Sequence, residues 1–281
     1  MSRGARYAAL FERLAARGEG AFIPFVMLGD PDPERSLRVV RTLVAAGADA
    51  LELGLPFSDP VADGPVIQAA ARRALDSGAR RADGWAIVRA VRDGHPGLPI
   101  GLLVYGNLVC HREPAAFYRE AAGAGVDSVL VADVPVAESG PVAGAARAAG
   151  VAPVFIAPPN ADDARLHAIA DAGEGYTYVT SREGVTGVDR ELRRDASALI
   201  ARLRALGAAP PVLGFGIATP EQVRAALAMG AAGVISGSAV VRRVAAHADD
   251  PAALERELAT FVRAMKDATR GGLGPPILIP R

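Results

Sequence analysis

The segment Glu52–Gly64 concentrates side chains that could do acid–base chemistry. It holds carboxyl groups at Glu52, Asp59 and Asp63, among two prolines and two glycines. Glu52 stands between two leucines, which predicts a buried side chain. Burying a carboxylate costs on the order of several kcal/mol of lost hydration unless the group is paired or protonated. Position alone leaves two interpretations open: a structural ion pair with an arginine, or an acid–base group with a raised pKa.

Three glycine-bearing segments later in the chain could bind a phosphate group. They are 181–187 (SREGVTG), 214–217 (GFGI) and 236–238 (SGS), and each begins at the end of an apolar run. Glycine lets backbone N–H groups approach a phosphate closely, and the N-terminus of a helix adds partial positive charge. One such turn would be weak evidence, but the three together predict a phosphorylated substrate.

Other catalytic chemistries lack the residues that they need. The four histidines have no metal-ligand spacing, and the chain has one cysteine, Cys110, which its apolar neighbours predict to be core filler. The only lysine, Lys266, lies near the C-terminus, so catalysis by a Schiff-base lysine is disfavoured. We therefore expect no metal and no cofactor, and chemistry by carboxylates, tyrosines and backbone amides.

Charge and hydropathy exclude two kinds of partner. The formal net charge is +0, and no basic run is longer than Arg-Arg, so neither nucleic acid nor an anionic membrane is expected to bind. No stretch approaches the roughly 20 apolar residues of a membrane span, and the first residues show no signal-peptide pattern. These features predict a cytoplasmic protein.

The elements that must position these groups alternate along the chain. Short, almost continuously apolar runs predict buried parallel strands. They are Phe22–Leu28, Ala50–Leu53, Ile100–Tyr105, Ser128–Ala132, Pro153–Ala157, Tyr176–Thr180, Val212–Phe215 and Gly233–Ser236. The segments between them carry apolar residues at helical spacing. Eight such units favour a (β/α)8 TIM barrel, an α/β fold, over a doubly wound sheet.

Two further helices and several helix ends are also predicted. Tyr7–Arg17 precedes the first strand and would cover the bottom of the barrel, and Val66–Ser77 is an extra helix after strand two. Glycines at predicted helix ends suit left-handed C-terminal caps; they are Gly47, Gly125, Gly150, Gly173, Gly207 and Gly230. We expect residues 1–270 to form one domain, followed by an irregular tail at 271–281.

The chemistry-bearing segments resemble tryptophan synthase alpha subunits. The matching stretches are Phe25–Asp30, Leu51–Gly64, Asp133–Pro135, Ser181–Gly187, Gly214–Ile217 and Ile235–Ser238. The resemblance runs from about Tyr7 to Met265, and the strand-two motif is highly specific. The glycine- and proline-rich tail departs from the family pattern.

The resemblance implies cleavage of indole-3-glycerol phosphate into indole and glyceraldehyde 3-phosphate. It implies that Glu52 moves protons, that Asp63 accepts the indole N–H, and that Tyr178 lies near the reacting glycerol. The implied phosphate ligands are the backbone amides of Gly187, Gly216, Gly237 and Ser238. The implied indole pocket is formed by Phe25, Leu103, Ala132, Ile156 and Phe215.

The resemblance also implies a partner, a pyridoxal-phosphate beta subunit in an α2β2 heterotetramer. Pro56, Asp59 and Asn107 would face that subunit, and the loop around Thr186 would act as a lid with the strand-two loop. Three alternatives stay open: a freestanding indole-3-glycerol-phosphate lyase, a non-catalytic activator of the partner, and a phosphate-binding barrel isomerase. The presence of both carboxylates disfavours the second, and the strand-two motif disfavours the third.

Overall fold

Eight parallel strands close into a barrel in which each strand pairs with its neighbour in sequence and β8 pairs with β1. The computed structural model describes residues 4–111, 113–180, 190–214 and 216–271. The strands are β1 (Ala21–Met27), β2 (Leu51–Gly54), β3 (Ile100–Val104), β4 (Ser128–Val131), β5 (Ala152–Ala157), β6 (Thr177–Thr180), β7 (Pro211–Gly214) and β8 (Gly233–Ser236). All the predicted strands are confirmed, and so is the (β/α)8 barrel.

Helices surround the barrel and include the two predicted additions, α1 and α3. They are α1 (Ala5–Ala15), α2 (Pro33–Ala45), α3 (Pro65–Asp76), α4 (Arg81–Gly94), α5 (Gly106–Cys110), α6 (Pro114–Ala124), α7 (Gly140–Ala148), α8 (Asp163–Ala172), α9 (Arg190–Ala205), α10 (Pro220–Ala228), α11 (Ser238–Ala246) and α12 (Pro251–Asp267). No helix in the described part of the chain is long and apolar enough to cross a membrane. Most of the predicted tail, from residue 272 onward, lies outside the described residues.

Five of the six predicted glycine caps are confirmed, and one is wrong. Gly125, for example, ends α6 with φ 99°, the left-handed conformation that glycine adopts without strain. Gly173 instead has φ −82° and extended backbone. Its backbone N–H donates to the carbonyl of Ile169, and a Cβ on residue 173 would lie 2.8 Å from that oxygen. Glycine is needed there for close approach to the preceding helical turn, while Gly175 supplies the positive φ.

Two hydrophobic cores, one inside the barrel and one between the strands and the helices, decide where each strand residue points. Successive strand residues face opposite sides of the sheet. On β1, Phe25 belongs to the inner core and Val26 to the outer core. On β2, Leu51 and Leu53 both belong to the outer core. Glu52, between them, therefore projects into the barrel.

Helix α1 covers the N-terminal end of the barrel, as predicted. Its Tyr7 is buried and shares a hydrogen bond of 2.9 Å between its hydroxyl and the Ser128 Oγ at the start of β4. The Tyr7 ring also packs on the ring of Tyr176, with 5.4 Å between centroids. Residue 176 immediately precedes β6, so this contact joins the added helix to the base of that strand.

Two buried ion clusters lie near the same end. Asp127, just before β4, accepts hydrogen bonds of 2.6 Å from both Arg6 and Arg92. Lys266, the only lysine of the chain, places its Nζ 2.9 Å from a carboxylate oxygen of Glu19 and 2.9 Å from one of Asp49. The carboxylates precede β1 and β2 and the lysine lies at the end of α12, so this cluster binds the last helix to the first two strands.

Candidate active site

Glu52 projects into the barrel interior as a fully enclosed carboxyl group with 1% of its surface exposed. The Tyr176 hydroxyl donates a hydrogen bond of 2.7 Å to its Oε1. Burial raises the pKa of Glu52 to about 7, although the Tyr176 hydrogen bond acts in the opposite direction. Within the described ranges no arginine or lysine pairs with this carboxyl group. The ion-pair interpretation therefore has no support here, and the geometry favours an acid–base group.

Asp63 approaches from the loop between β2 and α3 and is half-buried. The Tyr105 hydroxyl donates a hydrogen bond of 2.9 Å to its Oδ2. Burial raises the pKa of Asp63, and the hydrogen bond from Tyr105 partly offsets that rise. The Gln68 amide on α3 donates to the backbone carbonyl of Asp63 at 2.7 Å, which fixes the loop where the helix begins.

Tyr178 is buried on β6 and lies within electrostatic range of both carboxylates. Burial, followed by the negative charges of Glu52 and Asp63, raises the pKa of Tyr178 well above its usual value, so the phenol stays protonated. Its ring lies against β7 at Gly214, where an added Cβ would meet the phenol oxygen at 2.2 Å. The structure thus brings the three predicted catalytic side chains into one electrostatic environment.

The Gly214→Ala substitution is expected to reduce turnover by about 10²-fold, since roughly 1 Å of misplacement in a site can cost that much. The new methyl group cannot fit without moving the Tyr178 ring. Turnover should be measured together with thermal unfolding. The matched control is Gly144→Ala on α7, where an added Cβ meets nothing within 4 Å. Equal activity in the two variants would show that the position of Tyr178 has no effect on turnover.

The loops after β7 and β8 are joined to each other near the predicted phosphate site. Gly216 has φ 74°, and the Ser236 hydroxyl donates to the carbonyl of Ile217 at 2.7 Å. Gly237 precedes α11, which begins at Ser238. The first amides of a helix lack acceptors within the helix, so Gly237 and Ser238 stand where an anion is favoured. Gly187 lies outside the described residues.

Four of the five predicted indole-pocket residues meet inside the barrel. Phe25 belongs to the inner core, and Leu103, Ala132 and Ile156 are partly buried side chains packed against it. Partial burial is consistent with an apolar surface that opens toward the loops. The fifth residue, Phe215, lies outside the described residues.

The residues predicted to face a partner lie on two neighbouring segments, the loop after β2 and the short helix α5. Asp59 and Asn107 are exposed, Pro56 is half-buried, and the rings of Phe57 and Tyr105 stack with 5.4 Å between centroids. Beyond these, Val61 is 80% exposed, which is unusual for a large hydrophobic side chain. Thr186, the predicted lid residue, is outside the described residues.

One prediction beside these loops is wrong, and two tyrosines were missed. Cys110 is exposed rather than buried, because the short helix α5 turns Val109 inward instead. Tyr176 was not singled out from the sequence, although it lies two residues before Tyr178, the spacing at which side chains of an extended chain point to the same side. Tyr105 was also missed, although it follows the C-terminal end of β3, the end at which barrels place functional groups.

Comparison with known proteins adds independent findings. A family model described as tryptophan synthase alpha chain matches residues 11–270. The tryptophan synthase alpha chain of Serratia proteamaculans (strain 568) is 55% identical over 265 residues, which cover 94% of this chain and 99% of that protein. The corresponding chain of Shewanella baltica (strain OS155) is 55% identical over 264 residues, which cover 94% of this chain and 97% of that protein.

Solved structures agree with the sequence relatives. The tryptophan synthase subunit alpha of Legionella pneumophila superposes with a TM-score of 0.84 at 30% identity, covering 96% of this chain and 98% of that one. A structure from Pyrococcus furiosus, whose description concerns mutual activation of the tryptophan synthase α2β2 complex, gives a TM-score of 0.80 at 35% identity, covering 88% and 98%. The similarity therefore extends over most of both chains.

Proposed function

The chain belongs to the tryptophan synthase alpha chain family, whose members are lyases that cleave indole-3-glycerol phosphate, and we propose that Glu52 and Asp63 carry out that cleavage here. The observation that supports this assignment most directly is the environment of the first carboxyl group. Glu52 is enclosed, accepts a hydrogen bond from Tyr176, and has a pKa that burial raises to about 7. A pKa near neutrality suits a group that must both give and take a proton.

The cleavage is a reverse aldol reaction in which the indole ring supplies its own electron sink. Protonated Glu52 gives its proton to C3 of the ring, and the ring nitrogen becomes positively charged. Asp63, as the carboxylate, accepts the N–H hydrogen bond and stabilises that charge. The Glu52 carboxylate then takes the proton of the glycerol hydroxyl, the carbon–carbon bond breaks, and its electron pair returns to the ring. Indole and glyceraldehyde 3-phosphate leave, and Glu52 is again protonated.

The two ends of the substrate are assigned to different walls of the barrel. The phosphate rests on backbone amides of Gly216, Gly237 and Ser238, supplemented by Gly187. The start of α11 supports this assignment, because the end of a helix dipole and unpaired N–H groups favour an anion. The indole ring lies among Phe25, Leu103, Ala132, Ile156 and Phe215, with Tyr178 beside the reacting glycerol.

The exposed loops form the partner-facing side in this proposal. Pro56, Asp59 and Asn107 contact a beta subunit in an α2β2 assembly in the cytoplasm, and the loop of Thr186 closes over the bound substrate. The exposure of Asp59 and Asn107 and the nearby exposed Val61 support a docking role. Similarity to a chain in a structure of the tryptophan synthase α2β2 complex from Pyrococcus furiosus supports the assembly.

Indole release from indole-3-glycerol phosphate, measured with and without an added beta subunit, tests the proposal. We expect slow release by the chain alone and an acceleration of about tenfold or more with the partner, because docking would favour closure of the lid over the substrate. Fast release that does not respond to the partner would identify a freestanding lyase instead. No release under either condition would contradict the roles of Glu52 and Asp63.

A further inference from the structure

The hydroxyl group of Tyr105 makes two hydrogen bonds with one short stretch of the loop after β2. It donates to Asp63 Oδ2 at 2.9 Å and accepts from the backbone N–H of Ala62 at 3.1 Å. Since the amide approaches the oxygen, the hydroxyl proton is directed to the carboxylate. Burial, together with the nearby charge of Asp63, raises the pKa of Tyr105, which therefore stays a donor throughout the pH range of an assay.

Tyr105 is itself held from two further directions. Its ring stacks on Phe57 with an angle of 27° between the planes. The next residue, Gly106, donates its backbone N–H to Asp133 Oδ1 at 2.6 Å, which anchors the first turn of α5 to the loop after β4. Tyr105 is 3% exposed. Its hydroxyl is consequently a fixed point to which the more exposed Asp63 is attached.

We propose that Tyr105 is the positioning residue for Asp63: it holds one carboxylate oxygen so that the other faces the ring nitrogen of the substrate. The inference rests on the proposed function of Asp63. A carboxylate has two oxygens, and Tyr105 occupies Oδ2 only, which leaves Oδ1 for the N–H of the indole. Rotation of the carboxyl group would break the Tyr105 hydrogen bond, so that bond fixes the direction in which Oδ1 points.

The same contact links Asp63 to both partner-facing loops. Phe57 lies between Pro56 and Asp59, and Asn107 is in the first turn of α5, two residues after Tyr105. A movement of either loop changes the stacking of Phe57 on Tyr105 or the anchor of Gly106 on Asp133. The positioning of Asp63 is therefore sensitive to whatever binds at these loops.

The test is Tyr105→Phe, which keeps the stacked ring and removes the hydroxyl. We expect kcat/KM for indole release to fall about tenfold or more, since a hydrogen bond to a charged group is lost. The hydrogen bond from Tyr105 favours the ionised form of Asp63, so its loss should raise the pKa of Asp63. The acid limb of the pH profile should therefore move to higher pH. The other titratable groups that face this pair, within the described residues, are Glu52, Tyr178 and Asp133.

The matched control is Tyr118→Phe, on the buried face of α6. The Tyr118 hydroxyl makes no hydrogen bond with the described residues, so its removal should change neither kcat/KM nor the pH profile. Asp63→Asn serves as the reference for the proposed function. In a Tyr105→Phe/Asp63→Asn double variant, loss of the hydroxyl should add little to the loss already caused by Asp63→Asn.

The outcomes separate the two proposals. If Asp63→Asn keeps full activity, the proposed function of Asp63 is wrong. If Asp63→Asn is inactive while Tyr105→Phe matches the control, only the positioning role is overturned. A fall in kcat/KM with an unmoved acid limb and a matching loss of thermal stability would also overturn it, because Tyr105 would then be merely structural.

Discussion

The Glu52→Gln variant is expected to release indole about 10²–10⁴-fold more slowly than the wild type. That range is the usual contribution of a positioned general acid or base, and glutamine can neither give nor take the proton. The substitution preserves the size of the side chain and an oxygen that can accept from Tyr176. Steady-state release at saturating substrate would measure the effect directly.

The same variant should be more stable than the wild type above neutral pH, and this provides its control. Folding raises the pKa of Glu52 from 4.5 to about 7. The stability that goes with protonated Glu52 is therefore fully present below the unfolded-state pKa of 4.5. It is lost as pH rises through about 7, where the buried group ionises. Glutamine carries no charge to bury. Its unfolding free energy should exceed that of the wild type by up to about 3 kcal/mol at pH 8.

Activity and stability should therefore change in opposite directions in this variant. A misfolded variant would lose both, which separates loss of chemistry from loss of structure. Full activity in Glu52→Gln would exclude proton transfer by this side chain. The wild-type rate should also fall as pH rises through about 7, since the first step needs protonated Glu52.

Lys266→Met is expected to lower the free energy of unfolding by about 3 kcal/mol, because removing one partner of a largely buried ion pair leaves the other charge uncompensated. Two carboxylates, Glu19 and Asp49, lose their cation together. The lysine side chain is only 12% exposed, so solvent compensates little of the loss. Chemical denaturation followed by circular dichroism would measure it, with catalysis at low temperature little affected.

The Arg38→Met variant is the matched control for this loss. Arg38, on α2, likewise makes an ion pair to the last helix, through Glu255. Its side chain is 50% exposed, however, and such a pair contributes at most about 1 kcal/mol. The hydrogen bond from Lys266 lowers the pKa of Glu19 in the folded state. The stabilisation from this pair is therefore present above the pKa of Glu19 in the unfolded chain, and it is lost as pH falls through the pKa of Glu19 in the folded protein. The gap between wild type and Lys266→Met should accordingly narrow in acid. Equal effects of the two substitutions would show that the cluster is not specially stabilising.

The barrel could be predicted from the sequence because the patterns that indicate its strands are local. Continuous apolar runs identify buried parallel strands, and alternation along β2 places Glu52 opposite to Leu51 and Leu53. The start of α2 has a local signal of the same kind: the side chain of Asp32 accepts a hydrogen bond from the backbone N–H of Arg35, which is how an aspartate caps a helix.

The hydrogen-bond partners of Glu52 and Asp63 could not be predicted from local patterns. Tyr176 is 124 residues from Glu52 along the chain, and Tyr105 is 42 residues from Asp63. Such contacts depend on barrel closure and on the path of a loop, neither of which leaves a periodic signal. The prediction of a left-handed cap at Gly173 was wrong for a related reason. A close backbone approach and a positive φ both require glycine, and only the backbone conformation shows which of the two applies.

The exposure of Cys110 makes the chain easy to label. It is the only thiol, and it ends the five-residue helix that also carries Asn107. A maleimide fluorophore would therefore attach at one place, beside the loops assigned to the partner. Its emission or anisotropy would report docking in real time, without any substrate turnover and without a substitution elsewhere in the chain.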